Sequence, residues 1–194
     1  MLNFMKGSIF SRSTGAHPEA DEAEKDVQVL ALWGSPGSGK TTVSVKLAKY
    51  LADKRRNVVL LLCDMTTPML PCVCPSSDLE CEKSLGSILA ATHITDTLIK
   101  QNCITHKKMS HLLLVGMLKG ENVFTYPPYG PELAAELIDH LRSIAPYVII
   151  DCGSTIATDI LSAVALMEAD SVLRLVNCDL KSISYLSSQL PLLK

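Results

Sequence analysis

Apolar residues along this chain fall into blocks of two kinds. The first are unbroken runs closed by turn or acidic residues. These are "VQVLALWG" (27–34), "NVVLLLCD" (57–64), "HLLLVGM" (111–117), "YVIIDCG" (147–153) and "SVLRLVN" (171–177). Such runs predict strands buried on both faces. The second kind recurs at helical spacing. Residues 40–53 place Val43, Leu47 and Leu51 on one helical face, and 130–145 does the same with Leu133, Leu137, Ile138 and Leu141, with Pro131 early in the helix. "KSLGSILAA" (83–91), 95–102, "TDILSAVALMEA" (158–169) and 181–190 read as further helices.

Strands that alternate with helices make βαβ units. The expected fold is α/β, a three-layer parallel sheet with helices on both faces. Ligands of such folds bind at the carboxyl ends of the strands, where Gly34, Asp64 and Asp151 fall. No internal repeat is visible. The pattern predicts one domain over 27–194. Residues 1–26 end in the acidic run "PEADEAEKD" and read as a flexible tail or linker. Their apolar residues Leu2, Phe4, Met5, Ile9 and Phe10 suit either contact with a partner or membrane surface, or a frayed terminus.

Composition narrows the function classes. The 194 residues are 47% hydrophobic, which a globular chain needs and a disordered one lacks. Eighteen basic and 20 acidic residues give a net charge of −2, with no general attraction to DNA or to an anionic membrane. "DKRR" (53–56) is a small basic cluster that reads more simply as a helix end in solvent. Seven cysteines without a small secreted framework point to a reducing cytoplasm. No run suits a transmembrane helix, and the N-terminal apolar run is too short for a signal peptide.

The chemistry concentrates in "WGSPGSGKTT". Gly34-Ser35-Pro36-Gly37-Ser38-Gly39-Lys40-Thr41 fits G-x-x-x-x-G-K-[ST] without a mismatch. Glycines let backbone amides curl around an anion, and the helix that starts here adds its positive end. Lys40 suits the β- and γ-phosphates of a nucleotide, Thr41 a bound Mg²⁺, and Thr42 extends the binding set. Asp151 ends a buried strand and suits either the Walker B acid, holding the magnesium through water, or a cap of the next turn. Asp64 also ends a strand and suits either the attacking water and magnesium shell, or a turn. Trp33, the lone tryptophan, adjoins the loop and should report on its packing.

Weaker signals remain. Cys72, Cys74 and Cys81 offer sulfur ligands but match no common zinc spacing. His93, His106, His111 and His140 form no ligand spacing and read as surface or strand-edge residues. "ENVFTYPPYGPE" (121–132) groups Phe124, Tyr126 and Tyr129, either as a partner-binding loop or as a loop laid over the core.

From residue 27 onward the chain resembles the ParA/MinD family of P-loop ATPases, with a CpaE/TadZ-like branch. The likeness rests on the P-loop, "LLLCDMTTP", "LLLVGM", "IAPYVIIDCGS" and "MEADSVLRLVNCDLKSISYL". The resemblance implies ATP, Mg²⁺, slow hydrolysis and an ATP-dependent homodimer. It implies an activator or cargo protein, a role in positioning or segregating cargo in a bacterial cell, and a cytoplasmic or membrane-peripheral location. It assigns Asp64 to switch I, Asp151 to switch II and catalytic weight to Lys40. The family's second loop lysine is replaced here by Ser35, followed by Pro36. This favours weak hydrolysis or a non-hydrolysing scaffold. The family's further C-terminal strands, with the contacts to the base, would follow residue 194. A small-molecule kinase is the less favoured alternative, because only Arg142 and Arg174 lie beyond residue 56.

Overall fold

The computed structural model describes residues 28–74 and 83–193. The N-terminal tail and Cys81 lie outside the described residues. Six strands form one sheet in the order β3-β4-β2-β5-β1-β6. They are β1 (Gln28–Gly34), β2 (Val58–Leu62), β3 (Ile104–Thr105), β4 (Leu112–Val115), β5 (Tyr147–Asp151) and β6 (Ser171–Leu175). β5 lies between β1 and β2 and is parallel to both, with Leu32 and Leu62 each opposite Asp151. This register sets the ends of three strands level, and so gathers Gly34, Asp64 and Asp151 at one edge.

Alternate residues of each central strand feed two cores. Trp33, Leu61, Cys63 and Ile150 face one, with Leu137, Ile138 and Leu141 of α5 (Pro131–Ile144) and Leu161 and Ala165 of α6 (Ile160–Glu168). Leu32, Leu60, Leu62 and Ile149 face the other, with Ala48 and Ala52 of α1 (Lys40–Asp53). The three layers follow from strands apolar on both faces.

Three details depart from the sequence pattern. α1 turns Lys40, Ser44, Ala48 and Ala52 inward, while Val43, Leu47 and Leu51 are only half-buried. A line of small residues lets the helix approach the sheet closely. β3 is antiparallel to β4, so the sheet is not wholly parallel. β6 is an edge strand whose Val172 and Leu173 remain 37% and 42% exposed, so helices do not cover both faces there.

The shorter helices are α2 (Leu70–Val73), α3 (Leu85–Leu89), α4 (Asp96–Asn102) and α7 (Leu180–Gln189). Side-chain caps mark the starts of four helices. Ser84, Thr95, Asp159 and Asp179 accept from first-turn amides of α3, α4, α6 and α7. Among the described residues, no helix is long and apolar enough to cross a membrane.

Two surface carboxylates tie elements together. Asp96 of α4 accepts from Ser143 Oγ and lies 2.6 Å from His140 Nδ1. The His140 hydrogen bond, with that of Ser143, holds Asp96 below the usual carboxylate range. Asp170 accepts from Val29 N at 2.6 Å and from Arg142. Burial pushes its pKa up, but those donors outweigh burial and leave it lowered. A carboxylate with a depressed folded pKa stabilises above its unfolded pKa and stops doing so as pH falls through the folded value. Thermal stability is therefore expected to decline below about pH 4, the unfolded carboxylate pKa. In Asp96→Asn that decline should be shallower in a pH series of melting curves. An unchanged slope would remove Asp96 from the account.

Candidate functional site

The loop between β1 and α1 is shaped by its glycines. Gly37 and Gly39 take φ 74° and 85°, a left-handed conformation that suits glycine. Gly34 is held by proximity, since a Cβ there would meet Leu175 O at 1.8 Å. Ser35 N donates to Leu175 O at 3.2 Å, and Ser38 N to Ser35 O at 3.2 Å. α1 has no side-chain cap and no acid in its first turn. Its first amides and the positive end of its dipole are thus left for an external anion.

The hydroxyls of Ser35 and Ser38 are buried and lack a hydrogen-bond partner among the described residues. Buried polar groups are normally satisfied. Two orphan hydroxyls beside uncapped amides and a lysine fit a phosphate chain. Pro36 and Gly37 form the exposed tip of the loop, and Thr42 is an exposed residue in the first turn of α1.

Lys40 Nζ donates to Ser154 Oγ at 2.7 Å, to Gly34 O at 3.2 Å and to Ser35 O at 3.3 Å. Burial pushes its pKa down, against the attraction of Asp151 and Asp64. Thr41 Oγ1 donates to Asp151 Oδ2 at 2.6 Å, and Ser44 Oγ to Asp151 Oδ1 at 3.1 Å. Burial raises the pKa of Asp151, while these two hydroxyls and Lys40 oppose the rise. A hydroxyl and a carboxylate that converge beside the anion cradle are hard oxygen donors of the kind Mg²⁺ takes. Thr41 and Asp151 fit that ion.

Asp64 Oδ1 accepts from Thr66 N at 2.9 Å and Thr67 N at 2.8 Å, the turn-forming arrangement. Both bonds end on one oxygen. Asp64 also lines a cavity of about 730 Å³ with Thr155, Asp159, Phe124, Tyr126 and Tyr129. The aromatic segment is laid over the core through two of its three rings. Tyr126 and Tyr129 pack on the core, whereas Phe124 is 92% exposed. Glu121 holds the segment in place, accepting from Ser84 Oγ, Leu118 N and Tyr126 OH.

Sequence reasoning missed four contributors to the site. Ser44 lies one helical turn beyond Lys40. Ser154 receives the lysine. Asp159 caps α6, accepting from Ser162 N at 3.1 Å, and burial raises its pKa. Its place before an apolar run was the available signal. Tyr185 of α7 donates its OH to Ser154 O, and its ring lies 5.8 Å from that of Trp33. Burial pushes the Tyr185 phenol up to about 12, so it is a protonated donor at neutral pH. Trp33 Nε1 makes no hydrogen bond of ordinary geometry, although its direction toward that phenol opposes the rise.

The remaining candidates are not brought to the site. Cys72 is exposed and Cys74 buried. His106 directly follows the edge strand β3, where it is buried in the turn to β4 with Nδ1 accepting from Lys108 N. His93 and His140 lie near carboxylates of the α4–α5 region, and His111 beside Asn57. Among the described residues, no three metal-ligating side chains cluster.

A glycine-shaped loop at the end of β1, with a lysine, a hydroxyl and a strand-end acid beside it, defines a P-loop fold. A family model described as an AAA domain (AAA_31) matches residues 33–193. The chain belongs to that family. No curated protein matches it by sequence. Among solved structures, it is similar to the septum site-determining protein MinD of Pyrococcus horikoshii OT3, complexed with Mg-ADP. The TM-score is 0.66 at 19% identity, over 86% of this chain and 65% of that one. It is also similar to a ParA family ATPase from Chlorobium tepidum TLS, with TM-score 0.69 and 18% identity over 85% and 67% of the two chains. The VpsO kinase domain aligns at TM-score 0.57 and 22% identity over 88% and 81%. The chain thus spans about two thirds of its MinD and ParA neighbours.

Proposed function

We propose that this chain is an ATP-binding switch, with Mg²⁺ as cofactor and at most slow hydrolysis, whose nucleotide state governs its association with a cargo or activator protein. One observation supports the reading: Lys40, Thr41 and Asp151 converge beside two buried serine hydroxyls that have no partner among the described residues. In this reading Gly34 through Thr42 cradle the phosphates, and Thr41 and Asp151 face the metal. A bound Mg²⁺ would neutralise charge on the phosphate oxygens. Asp64, at the rim of the cavity, suits positioning of an attacking water.

Ser35 bears on hydrolysis and on dimerisation. It is buried, and its short neutral side chain stands where the family's second lysine would extend toward a partner. This supports weak turnover, and it keeps a non-hydrolysing scaffold as the second reading. Single-turnover hydrolysis of ATP, with and without cell extract as a source of activator, separates the two. A homodimer only weakly coupled to nucleotide is expected, so the midpoint of an ATP titration should barely depend on protein concentration.

The test of the site is Asp151→Ala. ATP should still bind through the loop, but added Mg²⁺ should no longer tighten binding. If a Mg²⁺ titration tightened ATP binding as in the parent, Asp151 would not be the metal-side acid.

A further inference from the structure

Lys40 Nζ makes its shortest hydrogen bond not within the loop but to Ser154 Oγ, beyond the end of β5. The same residue offers its carbonyl oxygen to Tyr185 OH. The Tyr185 ring also lies on Trp33, the residue that leads into Gly34. One side chain of α7 therefore touches both the strand entering the phosphate loop and the partner of the loop lysine.

α7 is otherwise lightly held. Ser182, Tyr185, Leu186 and Gln189 form its inward stripe, and only Ser182 is fully buried. On its outer side Leu180 and Ile183 are 85% and 56% exposed. A helix with few buried contacts lies at the low end of local stability, so a single hydrogen bond matters more there than in the core.

We propose that Tyr185 is a positioning residue that couples the phosphate loop to α7, so that α7 responds to nucleotide. The inference rests on the nucleotide-binding reading above. A phosphate oxygen is a stronger acceptor for a lysine than a neutral hydroxyl. When Lys40 turns to a phosphate, Ser154 loses its donor, and the backbone of 153–155 is free to settle differently. Tyr185 is bonded to that backbone and follows it. The indole beneath the ring registers the same event from the other side of the loop.

Hydrogen exchange of the α7 amides, with ATP·Mg²⁺ and without, tests this on the full chain. Calorimetry on the same samples reports binding. In the parent, nucleotide should change α7 exchange by about fivefold, the equivalent of one ordinary hydrogen bond. Tyr185→Phe keeps the ring against Trp33 and, with its own ATP affinity read by calorimetry and nucleotide saturating, should lose that nucleotide-dependent change. Ser154→Ala, which removes the lysine's partner but keeps the carbonyl, should lose it too. A tyrosine that was merely structural would speed α7 exchange equally in both conditions. Such equal speeding, or a full nucleotide response in Tyr185→Phe, overturns the coupling. A parent that binds ATP by calorimetry while α7 exchange stays constant overturns it as well. A parent that binds no ATP removes the nucleotide reading and the coupling with it.

Discussion

Lys40→Ala is expected to weaken ATP binding by about 100-fold, which reads as loss of binding in an ordinary titration. A hydrogen bond to a charged group contributes roughly 1.5–3 kcal/mol, and each 1.4 kcal/mol is tenfold. Lys40 is the only cation of the loop, and three acceptors hold its amine over the cradle. The free protein should behave differently from the complex. Burial already disfavours the charged amine, so its removal relieves a desolvation cost while it sacrifices three hydrogen bonds. These effects oppose each other, and the melting temperature without nucleotide should stay within about 3 °C of the parent. The ATP-induced rise in melting temperature should vanish. Trp33 fluorescence, which is expected to respond to ATP·Mg²⁺ through the loop and Tyr185, should respond less. Calorimetry that returned the parent's affinity would sink the phosphate assignment.

The central strands were legible because a strand buried on both faces leaves no polar alternation to confuse. β1, β2 and β5 accordingly appear where unbroken apolar runs stand. Helix faces were harder to read. Scoring hydrophobicity selects Val43, Leu47 and Leu51, whereas close approach to the sheet selects Lys40, Ser44, Ala48 and Ala52. Small size, not apolarity, decides that face. β3 has two residues, too few to carry a period. β6 has an apolar run and stays exposed, because such a run records a preference for burial rather than its attainment.

The site divides along the same line. The loop and Asp151 were visible because a contiguous motif and a strand end are local features. Ser154 and Tyr185 were not, since a bond between residues 31 apart depends on where α7 comes to rest. Asp64 was open between a turn and a chemical role. Its turn bonds are plain in the structure, and its cavity position leaves the chemical role as a proposal.

Gly34→Ala is expected to be the most damaging single-methyl change in the loop. The register pairs Gly34 with Leu175, and the added Cβ would lie 1.8 Å from Leu175 O and 2.9 Å from Leu175 N. These are backbone atoms of β6, which cannot swing aside as a side chain can. The strands must part at their ends, and the bond from Ser35 N to Leu175 O goes with them. Overpacking of this kind costs about 3 kcal/mol or more. For a chain of this size that lowers the melting temperature by roughly 6–12 °C. ATP affinity should fall as well, because Ser35 and the amides after it are anchored through that bond. Gly37→Ala is the control. Its φ of 74° disfavours a side chain, but no atom lies within 4 Å of the added Cβ. The cost there should be only about 1–2 kcal/mol, that of a left-handed residue. Melting curves of both variants should thus rank Gly34→Ala well below Gly37→Ala. If Gly34→Ala melted with or above Gly37→Ala, the close approach of β6 to the loop would not be what requires glycine at position 34.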